Sequence, residues 1–244
     1  MRIAAAQLRP VTGDVDGNLE RHLQLLELAT AAGADIVAFP ELSVTGYAPK
    51  LAAHLCINAD DPRLRVFRDI STARGITVGV GAPTATGGSV RISMHFYVPD
   101  AACQTYSKQL LHADEMPFFV AGTASMLLRL GGQAIAPAIC YESLQGSHAA
   151  AAARMGASVY LASVAKTASG VSRAYSHYPE VAKRHSMTVL MANSVGACDD
   201  FVSVGRSSAW NSRGQFLGAL DDARQGVIVF DTRTEELTAL SLDL

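Results

Sequence analysis

The stretch Ile135-Ala-Pro-Ala-Ile-Cys-Tyr-Glu-Ser143 changes from apolar to polar residues at a cysteine. A short apolar run with β-branched residues predicts a buried strand, although Pro137 counts against a central position in a sheet. The alanine-rich segment 145–155 that follows predicts a helix. Cys140 is therefore expected at the carboxyl edge of a sheet, which is where open α/β sheets bind their ligands.

A cysteine at this position has two interpretations. Free cysteine is among the most buried residue types, and a structural role is the more frequent one. At the start of a helix, however, the free N–H groups and the positive end of the dipole favour a thiolate and a developing oxyanion. The position alone leaves both interpretations open.

The first third of the chain alternates between strands and helices. Strands are predicted at residues 2–8, 35–40 and 76–81, and helices at 18–32 and 61–74, each with apolar residues at the matching period. This order predicts a mainly parallel sheet covered by helices.

The middle of the chain is rich in strands, and the alternation with helices then resumes. Further strands are predicted at 89–98, 103–108, 125–130, 133–140, 157–162, 187–192, 206–210, 215–219 and 226–231, with helices at 145–155 and 172–186. Two sheets with helices outside accommodate this mixture. Since no linker or repeat interrupts the sequence, residues 1–244 are expected to form one α/β domain.

Composition and charge argue against several classes of protein. The net charge is −2 and no block of like charge occurs, so neither nucleic acid nor an anionic membrane is expected as a partner. No apolar run reaches the length of a membrane-spanning helix, and Arg9 and Pro10 interrupt the N-terminus too early for a signal peptide. The four cysteines form no CxxC pair, which predicts no metal site and a cytoplasmic location with reduced thiols.

Three reactive side chains stand at the ends of predicted strands: Glu41, Lys108 and Cys140. Taken singly, a solvated glutamate or lysine is the more common interpretation. Taken together, Glu41 could accept the thiol proton, while Lys108 could lower the thiol pKa and, with the backbone N–H of Tyr141, stabilise an oxyanion. Such a set suits acyl transfer from a carbon–nitrogen bond through a thioester.

The segments that contain these residues resemble the three signature segments of the nitrilase, or carbon–nitrogen hydrolase, superfamily. They are Phe39-Pro-Glu-Leu-Ser-Val-Thr-Gly-Tyr47, Tyr106-Ser-Lys108 and Ala138-Ile-Cys-Tyr-Glu142, in this order. The resemblance covers nearly the whole chain. It implies a four-layer α-β-β-α sandwich and a catalytic triad of Glu41, Lys108 and Cys140.

The resemblance has further implications for the site and for assembly. It implies a second glutamate, here Glu115, that positions Lys108 or the attacking water. No metal or organic cofactor is expected. A homodimer or higher homo-oligomer is implied, formed through the face that carries the helix after the nucleophile.

The expected activity is that of an amidase, which releases ammonia from a small amide. Membrane-bound acyltransferase members need transmembrane helices, and glutamine-dependent NAD synthetases need a nucleotide-binding domain for which this length leaves no room. Tyr141, in place of the tryptophan usual in nitrile-cleaving members, argues against nitriles. The alternatives are an N-carbamoyl amine or amino-acid hydrolase and a non-catalytic scaffold that binds a small ligand or a partner.

The loops that would select the substrate are expected around residues 46–55, 118–123 and 164–172. Lys166 in the last of these is the candidate for contact with a substrate carboxylate. The histidines show no metal-ligand spacing, and surface or helix-face positions are expected for His112, His148, His177 and His185, with His177 able to approach a pocket rim.

Overall fold

The computed structural model describes residues 1–242, in which fifteen strands and four α-helices form four layers. The strands are β1 (Arg2–Gln7), β2 (Ile36–Ala38), β3 (Thr77–Thr86), β4 (Ser89–Tyr97), β5 (Gln104–Ser107), β6 (Leu128–Leu130), β7 (Gln133–Ile139), β8 (Val159–Val164), β9 (Thr188–Asn193), β10 (Val195–Cys198), β11 (Phe201–Val204), β12 (Ser208–Trp210), β13 (Phe216–Ala219), β14 (Gly226–Asp231) and β15 (Leu237–Ser241). The helices are α1 (Val15–Ala31), α2 (Arg65–Arg74), α3 (Gly146–Arg154) and α4 (Ala168–His185).

The first sheet has seven strands in the order β15-β14-β1-β2-β3-β4-β5. Strands β1, β2 and β3 are parallel, and α1 and α2 connect them, as the strand–helix alternation predicts. The other pairs are antiparallel, including β1 with β14, so segments from both ends of the sequence lie side by side.

The second sheet has six strands in the order β13-β12-β9-β8-β7-β6, with β7, β8 and β9 parallel. Pro137 lies inside β7 and is opposite Leu161 of β8. It is tolerated there because β6 pairs only with residues 133–135, so β7 has a neighbour on one side alone at Pro137.

The side chains of each strand alternate between two cores. In β1, Ile3 and Ala5 face the other sheet, whereas Ala4 and Ala6 pack towards α1 and α2. In β7, Ile135 and Ile139 join the core between the sheets, and the alternate residues pack towards α3 and α4. The layers are therefore α-β-β-α in one domain, which confirms the four-layer sandwich.

Several element predictions differ from the structure. The hairpin of β10 and β11 and the edge strand β15 are missing from the prediction, because all three are short and have exposed or half-exposed positions that weaken the apolar pattern. The last long helix begins at Ala168 rather than at residue 172, since Thr167 caps it by accepting from the N–H of Gly170. No helix within residues 1–242 is both long and apolar enough to cross a membrane.

Candidate active site

The two sheets bring the three predicted catalytic residues together. Glu41 follows β2 and Lys108 follows β5, both in the first sheet, while Cys140 follows β7 in the second. The carboxyl ends of parallel strands meet at one sheet edge, and the register that pairs Ile139 with Ser163 also brings the residues after β8 next to Cys140.

Lys108 is the centre of a buried ion cluster. Its side chain is fully buried, and Nζ donates to Glu41 Oε1 at 2.7 Å and to Glu115 Oε1 at 2.6 Å. Burial by itself lowers the lysine pKa, but the negative charges of Glu41, a Cys140 thiolate and Glu115 outweigh it and leave the pKa raised. Lys108 is therefore a permanent cation in this site.

Glu41 has one carboxylate oxygen available for proton transfer. Oε1 accepts from Lys108, whereas Oε2 is buried and has no hydrogen-bond partner within the described residues. Burial raises the pKa of Glu41 to about 7, with Lys108 opposing the rise and Glu115 adding to it. A carboxylate of this pKa can both take and return a proton near neutral pH.

The loop that carries Glu41 is held against β3. Leu42, which follows Glu41, has φ +50°, and the N–H of Val44 donates to Gly81 O at 3.0 Å. A Cβ on Gly81 would lie 2.5 Å from Leu42 N, so only glycine permits this approach. His22 supports the same loop through Ser43 Oγ, 2.9 Å from its Nε2.

Cys140 adopts φ +45° and begins a 3-10 helix, Cys140–Leu144, rather than the α-helix. This backbone conformation is unusual for a residue with a side chain. Tyr141 is the second residue of the turn, so its N–H has no partner further back in the helix and is free to meet an oxyanion. The α-helix expected to start just after Cys140 is therefore preceded by a 3-10 turn. The backbone N–H of Tyr141 is still free, as expected.

The Cys140 thiol experiences opposing influences. Burial is the largest influence and raises the pKa of the thiol, and the negative charges of Glu41 and Glu115 also raise it. The positive charges of Lys166 and, to a smaller extent, Lys108 lower this pKa. Sγ lies 3.7 Å from Ala165 O. The thiol therefore depends on nearby cations to ionise.

Glu142 ties the cysteine turn to the lysine strand. Its buried carboxylate accepts from the N–H of Ile139 at 2.8 Å and, on the other sheet, from Tyr106 Oη at 2.7 Å and Gln109 N at 2.7 Å. Because Tyr106 and Gln109 flank Lys108, this one side chain fixes the separation between Lys108 and Cys140. Glu142 stands within a signature segment of the sequence, but no sequence pattern gives it a role.

Glu115 supports Lys108 in the position expected from the resemblance. Glu115 is 2 % exposed. Its Oε1 also accepts a hydrogen bond from Tyr47 Oη at 3.3 Å, and its Oε2 accepts one from the N–H of His112 at 2.8 Å. These contacts hold the carboxylate against the lysine.

Lys166 lies beside the nucleophile. It is 5 % exposed, and Nζ is 3.4 Å from Cys140 O and 3.9 Å from Cys140 Sγ. Its main chain is fixed because its N–H donates to Asn193 Oδ1 at 2.8 Å and Ser203 Oγ at 3.1 Å. Asn193 and Ser203 are buried residues that no sequence pattern marks as part of the site.

A cavity of about 470 Å³ opens onto the sulfur. It is lined by Tyr47, His112, Asp114, Glu115, Cys140, Tyr141, Leu144, Gln145, Ala165, Lys166, Thr167, Gly170, Arg173, His177 and Phe201. Two of the expected loops contribute, but residues 118–123 do not, and the turn that carries His112 and Glu115 takes their place. Within the described residues no cluster of histidine, cysteine or carboxylate side chains could hold a metal ion.

Known structures share this fold over almost the whole chain. An amidase variant from Nesterenkonia sp. AN1, which carries acrylamide added at its active-site cysteine, matches with a TM-score of 0.87 at 26 % identity, covering 96 % of this chain and 94 % of that one. A second variant of that amidase, in complex with butyramide, matches with a TM-score of 0.85 at 26 % identity over 99 % of this chain and 90 % of that one.

Among curated proteins, a glutamine-dependent NAD(+) synthetase from Thermotoga maritima is 25 % identical over 99 % of this chain and 44 % of its own length. Another, from Rhodobacter capsulatus, is 30 % identical over 66 % of this chain and 30 % of its own length. The chain thus spans less than half the length of these relatives. The sequence model of the carbon-nitrogen hydrolases matches residues 2–241, and the chain belongs to the carbon-nitrogen hydrolase family.

Proposed function

We propose that this protein is a cysteine amidase that releases ammonia from small carboxamides through a thioester on Cys140. The observation that carries the proposal is the pairing of a buried Glu41–Lys108–Glu115 ion cluster with a thiol at the same cavity. Maintaining three buried charges is costly, and such clusters of perturbed groups mark sites of chemistry.

In the first half of the reaction, Glu41 accepts the thiol proton and the sulfur attacks the amide carbonyl carbon. The carbonyl electron pair moves onto oxygen, where Lys108 Nζ and the N–H of Tyr141 stabilise the negative charge. Glu41 then returns its proton to the nitrogen, the carbon–nitrogen bond breaks and ammonia leaves. The acyl group remains on Cys140 as a thioester.

In the second half, water replaces ammonia in the cavity. Glu41 takes a proton from the water, whose oxygen attacks the thioester carbon. The carbon–sulfur bond breaks, the sulfur recovers the proton and the carboxylic acid departs. Glu115 keeps Lys108 in place during both halves, in line with its contact of 2.6 Å.

Relatives support a small amide as the substrate. One of the similar amidase structures carries acrylamide at its active-site cysteine and the other is a complex with butyramide, and both compounds are small aliphatic amides. The glutamine-dependent relatives favour a second candidate, hydrolysis of the glutamine side-chain amide, because one of them matches 99 % of the chain. Hydrolysis of N-carbamoyl compounds and non-catalytic binding of a small ligand or a partner are less favoured functions that the same experiment tests.

The contact of Lys166 with a substrate carboxylate stays a prediction with a geometric restriction. Because Nζ is 3.9 Å from the sulfur, a carboxylate on it would lie within a few bonds of the attacked carbon. Short amide acids would therefore satisfy this contact better than long ones. The contact would be supported if Lys166→Met raised KM for amides that carry a carboxylate and left KM unchanged for neutral amides.

Ammonia release from a panel of aliphatic amides, glutamine and carbamoyl compounds tests the function. We expect release by the wild type and none by Cys140→Ala, with an acyl adduct on Cys140 detected by intact mass after rapid quenching. The ranking of amides would identify the substrate class. Equal release by both proteins would overturn the proposal, and Cys103→Ala serves as a matched control for loss of an uninvolved cysteine.

A further inference from the structure

Lys166 carries a buried charge that the reaction described above does not use. The residue is 5 % exposed, and its ammonium lies against Cys140, with the carbonyl oxygen at 3.4 Å and the sulfur at 3.9 Å. Lys166 takes part in none of the ion pairs within residues 1–242, so no carboxylate oxygen there lies within 4 Å of its Nζ. A buried cation without a carboxylate needs another anion nearby.

Lys108 is less able to supply that charge to the sulfur. Its ammonium is held by two carboxylates at 2.7 and 2.6 Å, so most of its field is already opposed before the thiol ionises. Lys166 has no such carboxylate in the described part of the chain and lies within hydrogen-bonding reach of the sulfur.

The charge balance of the cluster leads to the same conclusion. Two carboxylates and two ammonium groups, Glu41, Glu115, Lys108 and Lys166, sum to zero around a neutral thiol. When the proton moves from Cys140 to Glu41, the sulfur keeps the electron pair and the sum stays zero. Without Lys166 the sum would be −1 both before and after the proton moves, so the thiolate would form in a buried site that already holds a net negative charge, which is unfavourable.

We propose that Lys166 is a second catalytic ammonium, which hydrogen-bonds the Cys140 sulfur and stabilises it as a thiolate. The inference rests on the proposed role of Cys140 as nucleophile. The main chain of Lys166 is held by Asn193 and Ser203, and from this position its ammonium reaches the sulfur.

Other ionisable groups interact electrostatically with Cys140 and must stay unchanged in the test. They are Glu41 and Tyr47 after β2, Lys108 and Glu115 after β5, Tyr178 on α4 and Cys198 at the end of β10. Burial raises the pKa of Cys198 to about 12 and keeps both tyrosines neutral near pH 7 by raising their pKa values. Because every variant below retains them all, a difference between variants reports the change at Lys166.

The test is the pH dependence of iodoacetamide alkylation, followed by mass spectrometry on the peptide that contains Cys140. The alkylation rate increases at the pH where the Cys140 thiol ionises. We expect Lys166→Met to move this pH upward by about one unit or more, so that alkylation at lower pH becomes about tenfold slower. Lys166→Arg, which keeps the charge, should restore most of the rate. Lys183→Met, an exposed lysine of α4, is the matched control.

Two outcomes would overturn the inference. One is an unchanged alkylation profile in Lys166→Met, and the other is an equal shift in Lys166→Arg and Lys166→Met, which would indicate a packing effect. Circular dichroism verifies that each variant is folded, and Lys166→Gln gives a second neutral side chain if the methionine variant unfolds. Ammonia release that persists in Cys140→Ala is a separate result, which would remove the proposed function itself.

Discussion

In the proposed mechanism, the charge state of Glu41 controls when Cys140 can react. Oε2 has no hydrogen-bond partner within residues 1–242 and is open to the thiol, while Oε1 is bound to Lys108 at 2.7 Å. Burial, the largest influence, raises the pKa of this carboxyl to about 7, so its protonated and ionised forms are both accessible near neutrality. A base of this strength suits a residue that takes a proton and returns it in each turnover.

The pH profile of the proposed amidase should therefore have an acidic limb near pH 7. Below that pH Glu41 is protonated and cannot accept the thiol proton, so kcat/KM should fall about tenfold per pH unit. The limb belongs to the coupled cluster rather than to one residue. Rates between pH 5 and 9, roughly the range in which such groups titrate, provide the measurement; a flat profile across pH 7 would contradict this assignment.

Glu115→Gln should lower activity and move the acidic limb. The amide oxygen can still accept from Lys108, but the negative charge that helps to raise the Glu41 pKa is lost, so the limb should move to lower pH. We expect kcat to fall by about a hundredfold, as for loss of one electrostatic contact in a site, with KM little changed. Glu20→Gln, an exposed residue of α1, is the control. An acidic limb that stays at the wild-type pH would argue for a purely structural role.

At the scale of elements, tight turns after strands aim the reactive groups. Glu41 precedes a residue with φ +50°, and Cys140 itself has φ +45°. Both turns lie where a strand of one sheet ends close to the other sheet, so a small backbone shift would move a reacting atom. A displacement of about 1 Å can cost a factor of about a hundred in rate.

Gly81→Ala should disturb the first of these turns. The added Cβ would lie 2.5 Å from Leu42 N and 2.6 Å from Pro40 O, and both are backbone atoms that cannot rotate away. We expect a loss of about 1–3 kcal/mol in the free energy of unfolding and a fall in kcat of at least about tenfold. Gly146→Ala, where a Cβ meets no atom within 4 Å, is the matched control. Wild-type kcat in Gly81→Ala would show that the Glu41 turn tolerates the shift.

His22 should make the fold acid-sensitive. Its ring is fully buried between Asn18 O at 2.6 Å and Ser43 Oγ at 2.9 Å, and burial lowers its pKa from 6.5 to about 4. The unfolded chain therefore binds more protons between these values, so stability is complete above pH 6.5 and is lost as pH falls towards 4. We expect about 3 kcal/mol for this contribution.

The comparison of wild type with His22→Asn isolates the contribution of the histidine. Urea unfolding at several pH values should show that the two proteins differ least at low pH and most above about pH 6.5. A difference that is constant with pH would mean that His22 contributes packing alone.

The sequence predicts which three reactive side chains come together, Glu41, Lys108 and Cys140, better than it predicts the residues around them. Glu41, Lys108 and Cys140 are recognisable because each interrupts an apolar strand pattern at the strand end. Lys166 gives no such signal: the predicted strand ends at residue 162, and only the register of β7 with β8 shows that residues after Val164 lie beside Cys140. The roles of Asn193 and Ser203 depend on contacts between segments far apart in sequence, which periodicity does not encode.

At the scale of the whole molecule, the site is an interface between two sheets. The first sheet supplies Glu41 and Lys108, and the second supplies Cys140 and Lys166. The shared core of the sheets and the Glu142 contacts to Tyr106 and Gln109 hold the two halves in register. The proposed nucleophile, Cys140, and its proposed base, Glu41, therefore meet only when the two sheets are packed together.

Pairing of two chains through the face of α3 and α4 remains a prediction. Light scattering should give at least twice the mass of one chain. Ser176→Glu, which places a charge on the exposed side of α4, should shift the protein towards the monomer, because a buried unpaired charge opposes association. Ala73→Glu on α2, in the opposite outer layer, should leave the mass unchanged. A single-chain mass for the wild type would contradict the pairing.

The pairing of β1 with β14 has a consequence for biosynthesis. The antiparallel neighbour of residues 2–7 is residues 226–231, which are made more than two hundred residues later. The first sheet cannot close before then, and long-range pairing of this kind is slow. We expect the first sheet to stay incomplete in a nascent chain that lacks β14. The reactivity proposed for Cys140 should therefore appear only after residues 226–231 have been made.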